Sequence, residues 1–198
     1  MNNTLTPFYF CAYFRNLFFL GLLIISSCKD NNTDASNKPN GAASSISDED
    51  YYQFSLFKLH NNDIQGTIML PNETARIGSS EIPKVKHKPG GFQWTVSVGK
   101  AFTLYFEDFG EDKSLVTKHR KKLNAQSNIY NVKYLESLPN LLIYKKTLKE
   151  SAAHTSYHIY AQKKINGVMY EIKNKYSGDK KEVVMFMKKS IASFKSSI

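Results

Sequence analysis

Cysteine is almost missing from this 198-residue chain: there are two, Cys11 and Cys28, and none after residue 28. No disulfide framework can hold the bulk of the protein, which must be stable by packing alone. Long apolar runs are missing as well. The best of them, residues 17–25, falls far short of the roughly 20 apolar residues that a helix needs to cross a bilayer, so it is not a permanent membrane span. Acidic residues are scarce, 17 Asp plus Glu against 27 Lys plus Arg, which leaves a net charge of +10. What is abundant is apolar and aromatic side chains, 41% and 13% of the chain, the latter mostly Phe and Tyr. They are enough for one domain of ordinary size with its own core.

Motifs of catalysis are also lacking. There is no Gly-x-Ser-x-Gly elbow, and no thiol behind residue 28 to pair with a histidine. Pro89, Gly90 and Gly91 precede a strand rather than a helix, so they form a turn and not a phosphate loop. His154 and His158 are four apart, the zinc-chelating spacing of a helix, but their surroundings read as extended chain. On a strand rising about 3.3 Å per residue the two rings would stand about 13 Å apart, too far for one ion. His119 falls on the apolar stripe of a helix, and His60 and His87 lie in loops without acidic company. No metal, cofactor or catalytic residue is indicated. Neighbouring carboxylates, Glu107 with Asp108 and Glu111 with Asp112, sit at a strand end and a helix start, where capping and solvation account for them.

The apolar run 17–25 follows a weak positive flank, Arg15, and ends in Ser26, Ser27 and Cys28. That is the layout of a secretory signal with a cleavage site. Ile25, Ser26, Ser27, Cys28 resembles the lipobox of bacterial lipoproteins; the alternative is an ordinary secretory signal followed by a coincidental cysteine. The resemblance implies cleavage between Ser27 and Cys28, a diacylglyceryl group on the Cys28 sulfur and an acylated amine, and hence stable membrane attachment. Lys29 stands where enterobacterial lipoproteins carry the aspartate of inner-membrane retention, so the resemblance implies the outer membrane of a bacterial cell envelope. Lys29 and Asp30 also resemble a short surface-export signal. Residues 1–27 are thus expected to be the signal peptide. Residues 28–50, rich in Asn, Ser, Asp, Gly and Ala, cannot offset their ordering entropy by burial and read as a disordered tether behind the lipidated cysteine. Residues 51–198 are the globular domain.

Within that domain, residues 52–59 and 64–70 read as a hairpin around Asn61, Asn62 and Asp63. Residues 71–91 read as a long loop with three prolines and the basic cluster Lys84, Lys86, His87 and Lys88. Strict alternation marks 92–98 and 102–109 as a second hairpin. Leu115, Val116, His119 and Leu123 recur at helical spacing, which predicts a helix over 112–126. Four strands follow, 132–138, 141–148, 157–165 and 168–176, the last two joined by Asn166 and Gly167. Val183, Phe186, Met187, Ile191 and Phe194 share one face of a final helix, with Asp179 and Glu182 spaced as a capping box. The order ββββαββββα predicts an α+β domain: an antiparallel sheet of about seven or eight strands with one apolar face covered by two helices. That order, the domain length and the strand ending Met69, Leu70, Pro71 resemble the PsbP and DcrB group of folds. The resemblance implies a fold and no catalytic residues.

A basic surface in a cytosolic protein would suggest nucleic acid. Export makes anionic head groups, cell-wall polymers and acidic proteins the natural partners instead. Lys118, Arg120, Lys121 and Lys122 project mostly away from the helix stripe, as a solvated face does. The cluster Lys84, Lys86, His87 and Lys88 is the better partner-binding loop. The chain is therefore expected to be a non-enzymatic, membrane-anchored envelope lipoprotein that binds a protein partner or an anionic envelope component, with no nucleic acid. Two other readings stand beside it: an immunity or inhibitor protein against an envelope-acting toxin or hydrolase, and a hydrolase with dispersed catalytic residues.

Overall fold

Strand alternation decides the centre of the molecule. In the computed structural model, which describes residues 51–197, the order is β1 (Phe54–Lys58), β2 (Gly66–Pro71), β3 (Lys84–His87), β4 (Gln93–Val98), β5 (Phe102–Asp108), α1 (Leu115–Ala125), β6 (Tyr130–Leu138), β7 (Leu141–Leu148), β8 (Ser151–Ile165), β9 (Val168–Lys173), α2 (Lys181–Ser193) and β10 (Lys195–Ser196). Ser27, Cys28 and the expected tether lie outside the described residues. Seven strands form one antiparallel sheet in the order β3-β4-β5-β9-β8-β7-β6. The first hairpin leaves it and makes a second sheet, β1-β2-β10, by pairing with the residues just past α2. The α+β class, the two helices and a seven-stranded antiparallel sheet are as expected. Among the described residues no helix is long and apolar enough to cross a membrane.

The helices do not share a face. Phe102, Leu104, Phe106, Ile159, Ala161 and Ile172 share a core with Val184, Met187 and Ile191 of α2 and with Ile68 and Leu70 of β2. The intervening residues Tyr144, Tyr160 and Met169 pack instead on Leu115, Val116 and Leu123 of α1. Successive strand residues point to opposite sides, so α1 and α2 cover opposite faces. The expectation of one covered face failed because Leu142, Tyr144, Tyr160 and Met169 give the opposite face a second apolar patch, which α1 covers.

Two local expectations are corrected as well. Asp179 does not cap α2, because its carboxylate accepts from the Asn174 side-chain amide at 2.8 Å and pairs with Lys175 at 2.9 Å. Lys180 occupies the cap position without a side-chain bond. The supposed loop 71–91 contains β3, which pairs with β4 from Lys84↔Ser97 to His87↔Trp94. Its alternation of Lys and Val/His is a strand pattern masked by the prolines on either side. By contrast, Asn166 and Gly167 take positive φ, 48° and 90°, the left-handed pair that a tight hairpin demands.

Candidate functional site

Leu115, Lys118, His119, Lys122 and Leu123 of α1 and its capping residue Gln126 are spaced by three and four residues and therefore line one side of the helix. All six border a cleft of about 600 Å³ between α1 and the sheet, a volume suited to a small organic ligand. Register supplies the floor. Tyr105↔Lys173 and Tyr160↔Lys173 set β5, β9 and β8 side by side, and Tyr144↔His158 continues the row onto β7. Lys146 follows Tyr144 two residues on, so it shares this face.

The floor is built from stacked rings. His119 lies flat on Tyr160, centroids 3.8 Å apart at 7°, and His158 on Tyr144 at 5.0 Å and 12°. His119 Nε2 and the Tyr144 hydroxyl are 3.1 Å apart, which ties the two stacks together. Burial first, then the charges of Lys122, Lys173, His158 and Lys146, push the His119 imidazole down to about 4. Burial and Lys146 push His158 down to about 4 as well, against a smaller upward pull from Asp179. Both rings are neutral at pH 7. Burial raises the Tyr144 hydroxyl, and the Tyr160 hydroxyl is raised by burial and by donating to Glu171.

Charge on the lining is lopsided. Five lysines, 118, 122, 146, 173 and 175, face two carboxylates, Asp112 and Glu171. Both carboxylates are already engaged. Asp112 pairs with Lys118 at 2.6 Å and accepts from Ser114, and these contacts hold its carboxyl down at about 2. Glu171 is held by Tyr160 and Lys173. Lys146 is different: it is 8% exposed, and among the described residues no carboxylate lies within ion-pairing distance. Its ammonium sits 3.9 Å from the centre of the Tyr130 ring and 5.1 Å from that of Tyr176, and burial lowers its pKa. No protein-family model and no curated protein matches the chain. What the cleft does has to be read from its own chemistry.

That chemistry favours holding an anion. The Lys146 stem is buried and its ammonium opens on the cleft; ring faces compensate the partial loss of water around that charge only in part. Hydrolytic chemistry has a weaker footing. Ser156 Oγ lies 2.8 Å from His158 Nε2, but among the described residues no carboxylate hydrogen-bonds the other ring nitrogen, and a histidine at about 4 is a poor base at neutral pH. Among the described residues no group of three or more His, Cys, Asp or Glu is placed to hold a metal ion. His154 is exposed and bonded to Ser151, away from the stacked His158.

The expected basic cluster is split by its strand. Lys84 and Lys86 pair with Ser97 and Thr95 on the side away from the α2 core, and Lys84 lies 3.6 Å from Glu81. His87 turns to the other side, stacked on Trp94 at 4.6 Å, with Nδ1 3.0 Å from the Gln93 carbonyl and Nε2 3.2 Å from Asp63 Oδ2, off the line of a hydrogen bond. Lys88 is exposed just beyond the strand. The cluster is therefore an open strand edge carrying two lysines, not one basic loop.

Lys118 and Lys122 are exposed, as a solvated helix face requires, and they also border the cleft. Lys146 carried a signal: it is in phase with Leu142 and Tyr144, both buried, so a lysine stands where the pattern calls for an apolar residue.

Proposed function

We propose that this protein is a bacterial envelope lipoprotein, held to the membrane through a lipidated Cys28, whose domain binds an anionic envelope component without turning it over. The fold is proposed to be of the PsbP and DcrB kind, on the order of its elements. The observation that carries the functional reading is the cleft under α1: lysines outnumber carboxylates, the carboxylates are taken, and Lys146 is buried with no ion-pair partner among the described residues. An anion placed there would remove the desolvation cost that the rings leave.

The experiment is to extract the protein gently from its native membrane, denature it, and identify by mass spectrometry what it releases. An acidic compound recovered in about equal amount to the protein, and lost from the Lys146→Met variant, is the expected result. Recovery of nothing above a mock preparation would sink the cleft reading. Anchoring is tested separately: Cys28→Ser should release the protein from the membrane fraction, and a variant still processed and membrane-bound would refute lipidation.

The immunity or inhibitor reading draws on β3, an outer strand of the large sheet, whose second edge is unpaired among the described residues and can accept a partner's strand. Crosslinking in membranes that captures one envelope hydrolase or toxin would favour it. The hydrolase reading predicts that a fluorophosphonate labels Ser156.

A further inference from the structure

Three aromatic residues stand round the mouth of the cleft with their rings in the open. Tyr176, in the turn between β9 and α2, is 83% exposed, Phe109 is 39% exposed and Tyr105 37%. Large aromatic side chains left uncovered around a concave site mark a place where another apolar surface is meant to lie. Below them is Lys146, more than nine-tenths buried, and on the helix side is Lys122. Both line the cleft.

Tyr176 has a second role in the geometry. It borders the cleft and also a neighbouring cavity of about 390 Å³ reached past Tyr130 and Ser156, and Lys146 lines both. The Tyr176 ring is thus the wall beside the ammonium, with one face toward Lys146 and the rest uncovered.

We infer that the cleft selects an organic anion with a planar ring body, its acidic group held by Lys146 and its ring laid against the exposed Tyr176. This rests on the anion-binding reading above and narrows it. An aromatic carboxylate or sulfonate has both parts. A bare inorganic anion has no surface for the open rings, and a flexible acyl chain pays rotamer entropy that a rigid ring does not. Neutral His119 and His158 add donors and stacked surface without adding charge.

The test uses the full-length protein in zwitterionic nanodiscs, with empty nanodiscs as the blank, and equilibrium dialysis of four probes: 2-naphthoate, neutral 2-naphthol, decanoate and inorganic phosphate. The expected result is that 2-naphthoate binds at least tenfold tighter than each of the other three. Lys146→Met, which keeps the stem packed between Tyr130 and Tyr176, should weaken 2-naphthoate about thirtyfold. Tyr176→Ser, at an exposed position that does not threaten folding, should weaken it about tenfold while leaving phosphate unchanged. Decanoate or phosphate binding as well as 2-naphthoate, with no effect of Tyr176→Ser, overturns the ring selection and leaves the anion-binding reading standing. Binding of 2-naphthol as tight as 2-naphthoate, or of no probe at all, overturns both.

Discussion

Lys146 and the two histidines beside it show how burial sets chemistry one side chain at a time. His119 and His158 are each held near 4 in the folded protein, against about 6.5 when unfolded. Between those values the unfolded chain binds more protons, so stability falls as pH drops from about 6.5 to about 4 and is level above that window. The two together should cost on the order of several kcal/mol across it. Denaturant melts at pH 7, 5.5 and 4.5 measure this, and His158→Asn should flatten part of the slope. Gly178 is a second residue-scale case. Its φ is 75°, and a Cβ there would lie 2.5 Å from Ser156 Cβ and 2.8 Å from His158 Nε2. Gly178→Ala should cost about 2–4 kcal/mol, from left-handed strain plus the displaced Ser156–His158 pair; a loss under about 0.5 kcal/mol would refute that packing.

At the scale of elements, the join between α2 and the small sheet turns on Phe194. It is fully buried, with ring contacts edge-on to Phe106 at 5.5 Å and to Tyr170 at 5.8 Å, and it sits where a Cβ on Gly66 would collide at 2.7 Å. Phe194→Ala should lower stability by about 3–5 kcal/mol, the usual range for emptying such a site, and should loosen β10 from β2, read as faster amide exchange at Gly66 and Thr67. Strand β6 shows a different device. Its register slips between Tyr134 and Glu136, which turns Glu136 toward α2, where it pairs with Lys188 at 2.6 Å. The break in pairing interrupts one outer edge of the large sheet, as edge-protecting bulges do. Strand β3, at the other edge, offers Lys84 and Lys86 to solvent. Reversing Lys84, Lys86 and Lys88 to Glu should weaken binding of an anionic partner at low salt and leave it unchanged at high salt. Equal binding of both proteins at low salt would remove this edge from the interface.

At the scale of the whole molecule, period and turn chemistry made most elements legible. The second hairpin was readable because Trp94, Val96, Val98, Phe102, Leu104 and Phe106 alternate without exception and all are buried. The helix over 115–125 was readable from its stripe, and the hairpin at Asn166–Gly167 from the need for two left-handed residues. Strand β3 was not, because two short polar-and-apolar alternations between prolines look like loop until β4 supplies the hydrogen-bond partner. The cleft was hidden for the same kind of reason. Leu115 to Gln126 is one face of a helix, but which strands lie beneath it depends on the order β5-β9-β8-β7, which no local pattern encodes.

The sequence by itself determined the class of fold, the positions of most strands and both helices, and the expectation of a lipid anchor at Cys28, because periodicity, turns and terminal motifs are local properties of a chain. Tertiary structure alone decided that the helices take opposite faces, that His87 stacks away from its neighbouring lysines, and that Lys146 ends buried beside Tyr176 with no ion-pair partner among the described residues. Those outcomes depend on pairings between residues far apart in the chain, and the desolvation that lowers the Lys146 pKa exists only once distant strands have closed around it.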